Sequence, residues 1–119
     1  MFTLGAARYF LYQESTDMRK SFDGLCGLVI GRLKQNPMSG DVYIFINKPR
    51  NRIKLLKWEP GGFVLFYKRL EKGTFEAQSA QSKPRMDYAE LVMLITGISM
   101  GNTRKRKRFY QQNDVDNYQ

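Results

Sequence analysis

Between Asp41 and Phe75 three runs of strand formers are split by two short turn signals, NKPRNR and EPGG. Strands joined by loops this tight pair antiparallel, and loop length sets their register. With Lys48–Asn51 as the first loop, Asn47 faces Arg52, Phe45 faces Lys54, Tyr43 faces Leu56 and Asp41 faces Trp58. With Glu59–Gly62 as the second, Trp58 faces Phe63, Leu56 faces Leu65, Lys54 faces Tyr67 and Arg52 faces Arg69.

Side chains alternate between the two sides of a sheet, so this register sorts the meander into two faces. One carries Tyr43, Phe45, Trp58, Phe63 and Tyr67 with Arg52, Lys54 and Arg69 among them. The other carries Val42, Ile44, Ile46, Ile53, Leu55, Val64 and Phe66. Rings interleaved with cations suit a surface that follows a nucleic-acid backbone. The same face also fits a plainer role. Aromatic residues are good strand formers, a helix can cover them, and Lys and Arg stems can lie over rings.

Charge narrows the partner class. Twenty Lys plus Arg stand against eleven Asp plus Glu, a formal net charge of +9. Such a balance favours polyanions, nucleic acid first and an anionic membrane surface second. Part of the excess lies in the meander, where Lys48, Arg50, Arg52, Lys54, Lys57, Lys68, Arg69 and Lys72 face only Glu59 and Glu71 within residues 48–72. A run at Arg104, Lys105, Arg106, Lys107 and Arg108 adds a second basic segment. It reads either as a solvated stretch or as an arm that tracks phosphates.

Absences exclude much chemistry. The 119 residues contain no histidine and one cysteine, Cys26. Histidine-dependent triads, standard zinc sites and an internal disulfide are therefore ruled out. Neither a GxxxxGK[ST] loop nor a GxGxxG fingerprint occurs, so no cofactor is expected. Asp17, Asp23 and Asp41 are the acidic candidates for metal-assisted phosphoryl transfer, but their spacing marks no site. No catalytic role is expected. No apolar run reaches membrane-spanning length and no leader pattern opens the chain, so a cytoplasmic location is expected.

The remaining chain supplies a strand, two helices and two irregular segments. Arg8–Gln13 reads as a strand. A helix is expected from about Asp17 to about Leu33, capped by Ser15 or Thr16, with Met18, Phe22, Leu25, Val29 and Leu33 on one stripe. Gly24, Gly27 and Gly31 weaken that helix unless it lies close to another backbone. Arg19 and Lys20 fall in its expected first turn, where the macrodipole disfavours cations. They are either a phosphate site at a helix start or an exposed, locally paired end. A polar linker is expected over 77–85, a helix over 86–101 with Tyr88, Leu91, Val92, Ile95 and Ile98 as its apolar side, and a mobile tail over 102–119.

The expected fold is a single α+β domain over 1–76 with the C-terminal helix added, in the order β-α-β-β-β-α. A three- to four-stranded antiparallel sheet would pack its aliphatic face on the first helix.

TDMRKSFDGL at 16–25, SGDVYIFINKPRNRIKLLKWE at 39–59 and GGFVLFYKRLEKGTFE at 61–76 resemble the small accessory proteins called TnpB in the IS66 family of bacterial insertion sequences. TGIS at 96–99 and RKRKRFY at 104–110 are similar in order and spacing. (An RNA-guided nuclease shares the name but is far longer.) The resemblance implies a part in DNA transposition, encoded beside a separate, larger transposase that carries the catalysis. DNA and that transposase are the expected partners, and no membrane is, because neither helix is a basic amphipathic segment rich in Trp or Phe. Ser15 stands where members often have Pro.

On this reading Arg50, Arg52, Lys54 and Arg69 hold phosphates, beside a surface of Tyr43, Phe45, Trp58 and Tyr67. Arg19 and Lys20 form a second phosphate site, and Arg104–Arg108 form the arm. The alternative is a protein–protein adaptor that docks the transposase through the aromatic face.

Overall fold

The computed structural model describes residues 7–76 and 85–97. Their order is β1 (Tyr9–Leu11), α1 (Phe22–Gly31), β2 (Val42–Ile46), β3 (Arg52–Glu59), β4 (Gly62–Arg69), β5 (Arg85–Met86) and α2 (Tyr88–Thr96). They build one five-stranded sheet in the order β4-β3-β2-β1-β5. The α+β class and the β-α-β-β-β-α order are as expected, with the two-residue β5 added before α2.

The meander has the register its turns dictate. Tyr43 pairs with Leu56 and Phe45 with Lys54 across β2 and β3. Arg52 pairs with Arg69, Lys54 with Tyr67, and Trp58 with Phe63 across β3 and β4. Only Pro60 and Gly61 remain between β3 and β4, and Gly61 takes the positive φ of 96° that this tight hairpin needs. The strand from the N-terminal region, whose place its sequence leaves open, lies parallel to β2, with Tyr9 beside Val42 and Leu11 beside Ile44. A parallel neighbour requires a crossover, and α1 provides it. Arg8 then ties the start of β1 to Asp41, with its guanidinium 2.9 Å from the carboxylate. Burial pushes the Asp41 carboxyl up, but hydrogen bonds from Arg8 and Ser39 outweigh it and hold the group below its usual value.

The first helix covers the opposite face of the sheet from the one expected, and α2 takes the aliphatic face. The aliphatic face, with Val42, Ile44, Ile46, Ile53 and Leu55, packs with Phe75 and with Leu91 and Leu94 of α2. Helix α1 instead puts Leu25 and Val29 on Tyr43, Phe45 and Leu56 of the aromatic face. Each such side chain, fully buried, is worth roughly 1.5–3 kcal/mol. Polar groups explain the choice. Tyr43 hydroxyl donates to the carbonyl of Asn36 at 3.1 Å and meets Ser39 Oγ at 3.0 Å, both in the loop that follows α1. The aliphatic strand residues have no side-chain polar atom to satisfy, so a plainly apolar cover suffices.

Helix α1 is shorter than its apolar stripe suggests. Residues 17–20 form a turn closed by the Lys20 amide on the Asp17 carbonyl at 3.1 Å, and the helix starts after Ser21. Neither Ser15 nor Thr16 caps it. In α2, Asp87 and Glu90 form a reciprocal capping box and Gly97 ends the helix in the left-handed region. Its buried side is Leu91 and Leu94, whereas Tyr88 and Val92 are exposed. Of the expected linker, Arg85 pairs with Phe10 in β5. Residues 77–84, the tail and the rest of the expected helix lie outside the described residues.

Of the three glycines of α1, only Gly24 has a close neighbour, since a Cβ there would lie 3.1 Å from Lys20 Cβ. A Cβ at Gly27 or Gly31 would meet nothing within 4 Å. Gly27→Ala is therefore expected to stabilise the fold by about 1 kcal/mol. The check is a higher urea midpoint at unchanged slope. A lower midpoint would mean that something closes on this face of α1.

Candidate nucleic-acid interface

The aromatic–cationic face divides into three parts. Tyr43 and Phe45 are 0% exposed beneath α1, so they belong to the core and offer no contact surface. This corrects their assignment as a stacking platform. Phe10 stacks on Tyr43 with 5.8 Å between ring centroids, and Tyr12 leans on Phe45 at 6.0 Å, which extends the buried aromatic layer into β1.

Lys54 is also internal. It is 5% exposed, and its amine donates to the carbonyls of Met18 and Lys20, each at 2.7 Å. The same amine lies 4.6 Å from the centre of the Tyr67 ring. These contacts occupy a buried charge with two acceptors and a π-face, the condition under which burial is tolerable. Lys54 thus holds the β1–α1 loop onto the sheet and is not free to meet a phosphate. Arg50 is exposed, but it is tied to the segment after β4. Its Nε donates to the Phe75 carbonyl at 2.9 Å, and its own carbonyl accepts from the Phe75 amide at 2.7 Å.

What remains exposed collects at one end of the sheet. Arg52 and Arg69 are direct cross-strand partners, an arrangement of like charges that weakens a sheet. Arg69 is steadied by Glu71, with 2.8 Å between Nη2 and Oε2. Arg52 donates to the Tyr67 hydroxyl at 3.0 Å and has no carboxylate partner among the described residues. Tyr67 is 48% exposed. Lys48, in the β2–β3 turn, is exposed and also lacks an acidic partner among the described residues.

Arg19 and Lys20 belong to this end, in the loop ahead of α1 rather than in its first turn. Asp17 accepts from the Arg19 amide at 2.9 Å and from its guanidinium at 2.6 Å. Those bonds from Arg19 hold the Asp17 carboxyl down at about 2, so the pair is ionic at neutral pH. Trp58 lies elsewhere. It is half-buried, edge-on to Phe63 with 4.9 Å between ring centroids, and six strand residues from Arg52, roughly 20 Å away. Alternation predicts a shared face, but only the length of β3 shows that Trp58 and the arginines sit at opposite ends. Arg104–Arg108 lie outside the described residues.

A hollow of about 520 Å³ separates the β1–α1 loop from the β2–β3 turn at the basic end. Ser15, Thr16, Lys48 and Arg52 are among the residues that line it. Sequence reasoning assigned Ser15 and Thr16 to capping and Lys48 to a turn, because nothing local shows that the two loops meet. Among the described residues no group of three or more His, Cys, Asp or Glu stands close enough to hold a metal ion. No helix among them is long and apolar enough to cross a membrane.

The family model described as IS66 Orf2 like protein matches residues 7–105. This chain belongs to the IS66 Orf2-like family. The match spans every element of the sheet and both helices, and it carries a transposition-associated accessory role. Two proteins of Sinorhizobium fredii (strain NBRC 101917 / NGR234) are similar to it, both named as uncharacterized. One, y4hO, is 34% identical over 93 residues, covering 76% of this chain and 80% of its own length. The other, y4jC, is 26% identical over 100 residues, covering 83% of this chain and 86% of its own. No solved structure matches.

Replacing Lys54 tests the internal part of this face. Lys54→Met keeps the stem but removes the donor from two part-buried carbonyls. It is expected to cost about 1–3 kcal/mol in urea unfolding. An unchanged midpoint would show that the amine does not hold the loop.

Proposed function

We propose that this IS66 Orf2-like protein is a non-catalytic accessory factor that binds the DNA backbone through the basic end of its sheet. The observation that carries the reading is the Arg52–Arg69 pair, two like charges held face to face across β3 and β4. The fold would be more stable with an acid at either position. A polyanion placed over both removes the repulsion. Lys48 shares a hollow with Arg52, Arg19 and Lys20 are exposed on the loop that Lys54 holds to the sheet, and Tyr67 offers half its ring beside Arg52. The run Arg104–Arg108 would extend the contact along the backbone. Binding of this kind fixes position on DNA without reading sequence. The transposase of the same element is the partner that would supply the chemistry.

One observation favours an adaptor instead. Strand β4 is an open edge of the sheet. The Leu70 amide bonds the Asn51 carbonyl, so by alternation the main-chain groups of Phe63, Leu65, Tyr67 and Arg69 point away from β3. A strand of the transposase could pair there. Co-purification with the transposase that survives nuclease treatment would support this second reading.

The test of the first reading is a salt series on duplex DNA. Arg52→Gln with Arg69→Gln leaves the core intact and removes two cations. The log–log slope of affinity against salt is expected to flatten by about 1.8, from roughly 0.9 per phosphate contact. An unchanged slope and affinity would place DNA elsewhere or nowhere.

A further inference from the structure

We infer that the hollow between the β1–α1 loop and the β2–β3 turn is a seat for one phosphate group of a nucleic-acid strand. The inference rests on the DNA reading above and assigns it a defined contact point.

The first observation is an unused donor. Thr16 is 4% exposed, and its hydroxyl is closed off from solvent with no hydrogen-bond partner. A buried hydroxyl left unpaired costs roughly 1–3 kcal/mol, so it calls for an explanation. Thr16 lines the hollow, and the Thr16 amide is already used by the Ile46 carbonyl at 2.9 Å. A rotation about Cα–Cβ redirects the hydroxyl without moving the backbone, and an acceptor in the hollow would be the partner it lacks.

The second observation is the sign of the walls. Lys48 and Arg52 line the same hollow and have no carboxylate partner among the described residues. Ser15 adds a second hydroxyl on the rim. The one acid there, Asp17, is taken up by Arg19. Lys48 and Arg52 are therefore cationic donors without a carboxylate, Arg52 spending one N–H on Tyr67, which suits an anion with several acceptor oxygens.

The walls are also braced. Asn47 Oδ1 accepts from the amides of Asn51 and Arg52, each at 3.0 Å, and Asn47 Nδ2 donates to Asn51 Oδ1 at 2.8 Å. Lys54 holds the opposite wall through the Met18 and Lys20 carbonyls. The Asn47 amide is engaged within the turn through both its oxygen and its nitrogen. No aromatic ring lines the hollow, so nothing there stacks on one. The chemistry selects phosphate and is indifferent to sequence.

Thr16→Val is the deciding variant, because the two readings of the hydroxyl move opposite observables. Removing an unpaired hydroxyl should leave the thermal midpoint of the free protein equal or higher. Affinity for a duplex oligonucleotide at low salt should fall roughly tenfold, the worth of one hydrogen bond to a charged group. Thr16→Ser, which keeps the hydroxyl, should bind as the wild type does and serves if the valine variant fails to fold. Lys48→Ala should flatten the salt slope by about 0.9.

Comparing duplexes with 5′-phosphate and 5′-hydroxyl ends identifies the source. Tighter binding of the phosphorylated end assigns the seat to a terminal phosphate, and equal binding assigns it to an internal phosphodiester. Wild-type duplex binding that survives Thr16→Val unchanged would overturn the seat and leave the DNA reading standing. If the wild type binds no duplex, titration with inorganic phosphate followed by amide NMR decides the seat alone. Shifts at Ser15, Thr16 and Lys48 that vanish in Thr16→Val would support it, and their absence would overturn it.

Discussion

The Lys54 amine, enclosed beneath the loop that leads into α1, organises this fold. It joins three parts of the chain far apart in sequence: the carbonyls of Met18 and Lys20, strand β3, and the ring of Tyr67 on β4. A cation at 5% exposure is tolerable only with its donors satisfied, so the loop must close over it. With the loop closed, α1 is drawn over Tyr43, Phe45 and Leu56, and the aliphatic face is left to α2 and Phe75. The turn at residues 17–20, held by this contact, also delays the start of α1 to Phe22 and leaves Arg19 and Lys20 on the surface.

Three departures from local stability rules lie at the end of the sheet next to that loop. Arg52 and Arg69 oppose like charges. Thr16 buries a hydroxyl without a partner. Arg50 adopts a φ of 63°, a left-handed conformation that costs a non-glycine residue about 1–2 kcal/mol. A further left-handed non-glycine residue, Lys34 with a φ of 57°, lies in the loop that follows α1. A like-charge pair beside an unpaired buried hydroxyl is the kind of local conflict expected at a binding site, because selection there acts on a ligand-bound state. These two features, more than total charge, are why the basic end is proposed as the binding surface, since charge alone does not choose a face.

Much of this was legible in the sequence, and the rest was hidden for identifiable reasons. Short loops set the strand register, so the pairings of Tyr43 with Leu56 and of Trp58 with Phe63 follow from counting residues. Which helix covers which face did not follow. Both faces are apolar enough to be buried, and the deciding bonds, Tyr43 to Asn36 and Lys54 to Met18 and Lys20, link positions distant in sequence. The start of α1 was misplaced for the same reason, because a capping Ser or Thr looks the same whether it caps a helix or lines a loop. Strand β5 is two residues long and carries no periodicity. Of the candidate site, Arg52, Arg69 and Tyr67 were found through cross-strand pairing, whereas Thr16 and Lys48 become neighbours only when two loops meet.

Hydrogen exchange on the full chain, with and without duplex DNA at low salt, tests the account most directly. It reports every amide at once and does not depend on a substitution being tolerated. The account predicts that DNA slows exchange across residues 15–20, 47–52 and 67–72 and leaves β1, β5 and α2 unaffected. Protection confined to the β1–β5 edge or to α2, with the basic end unprotected, would contradict it.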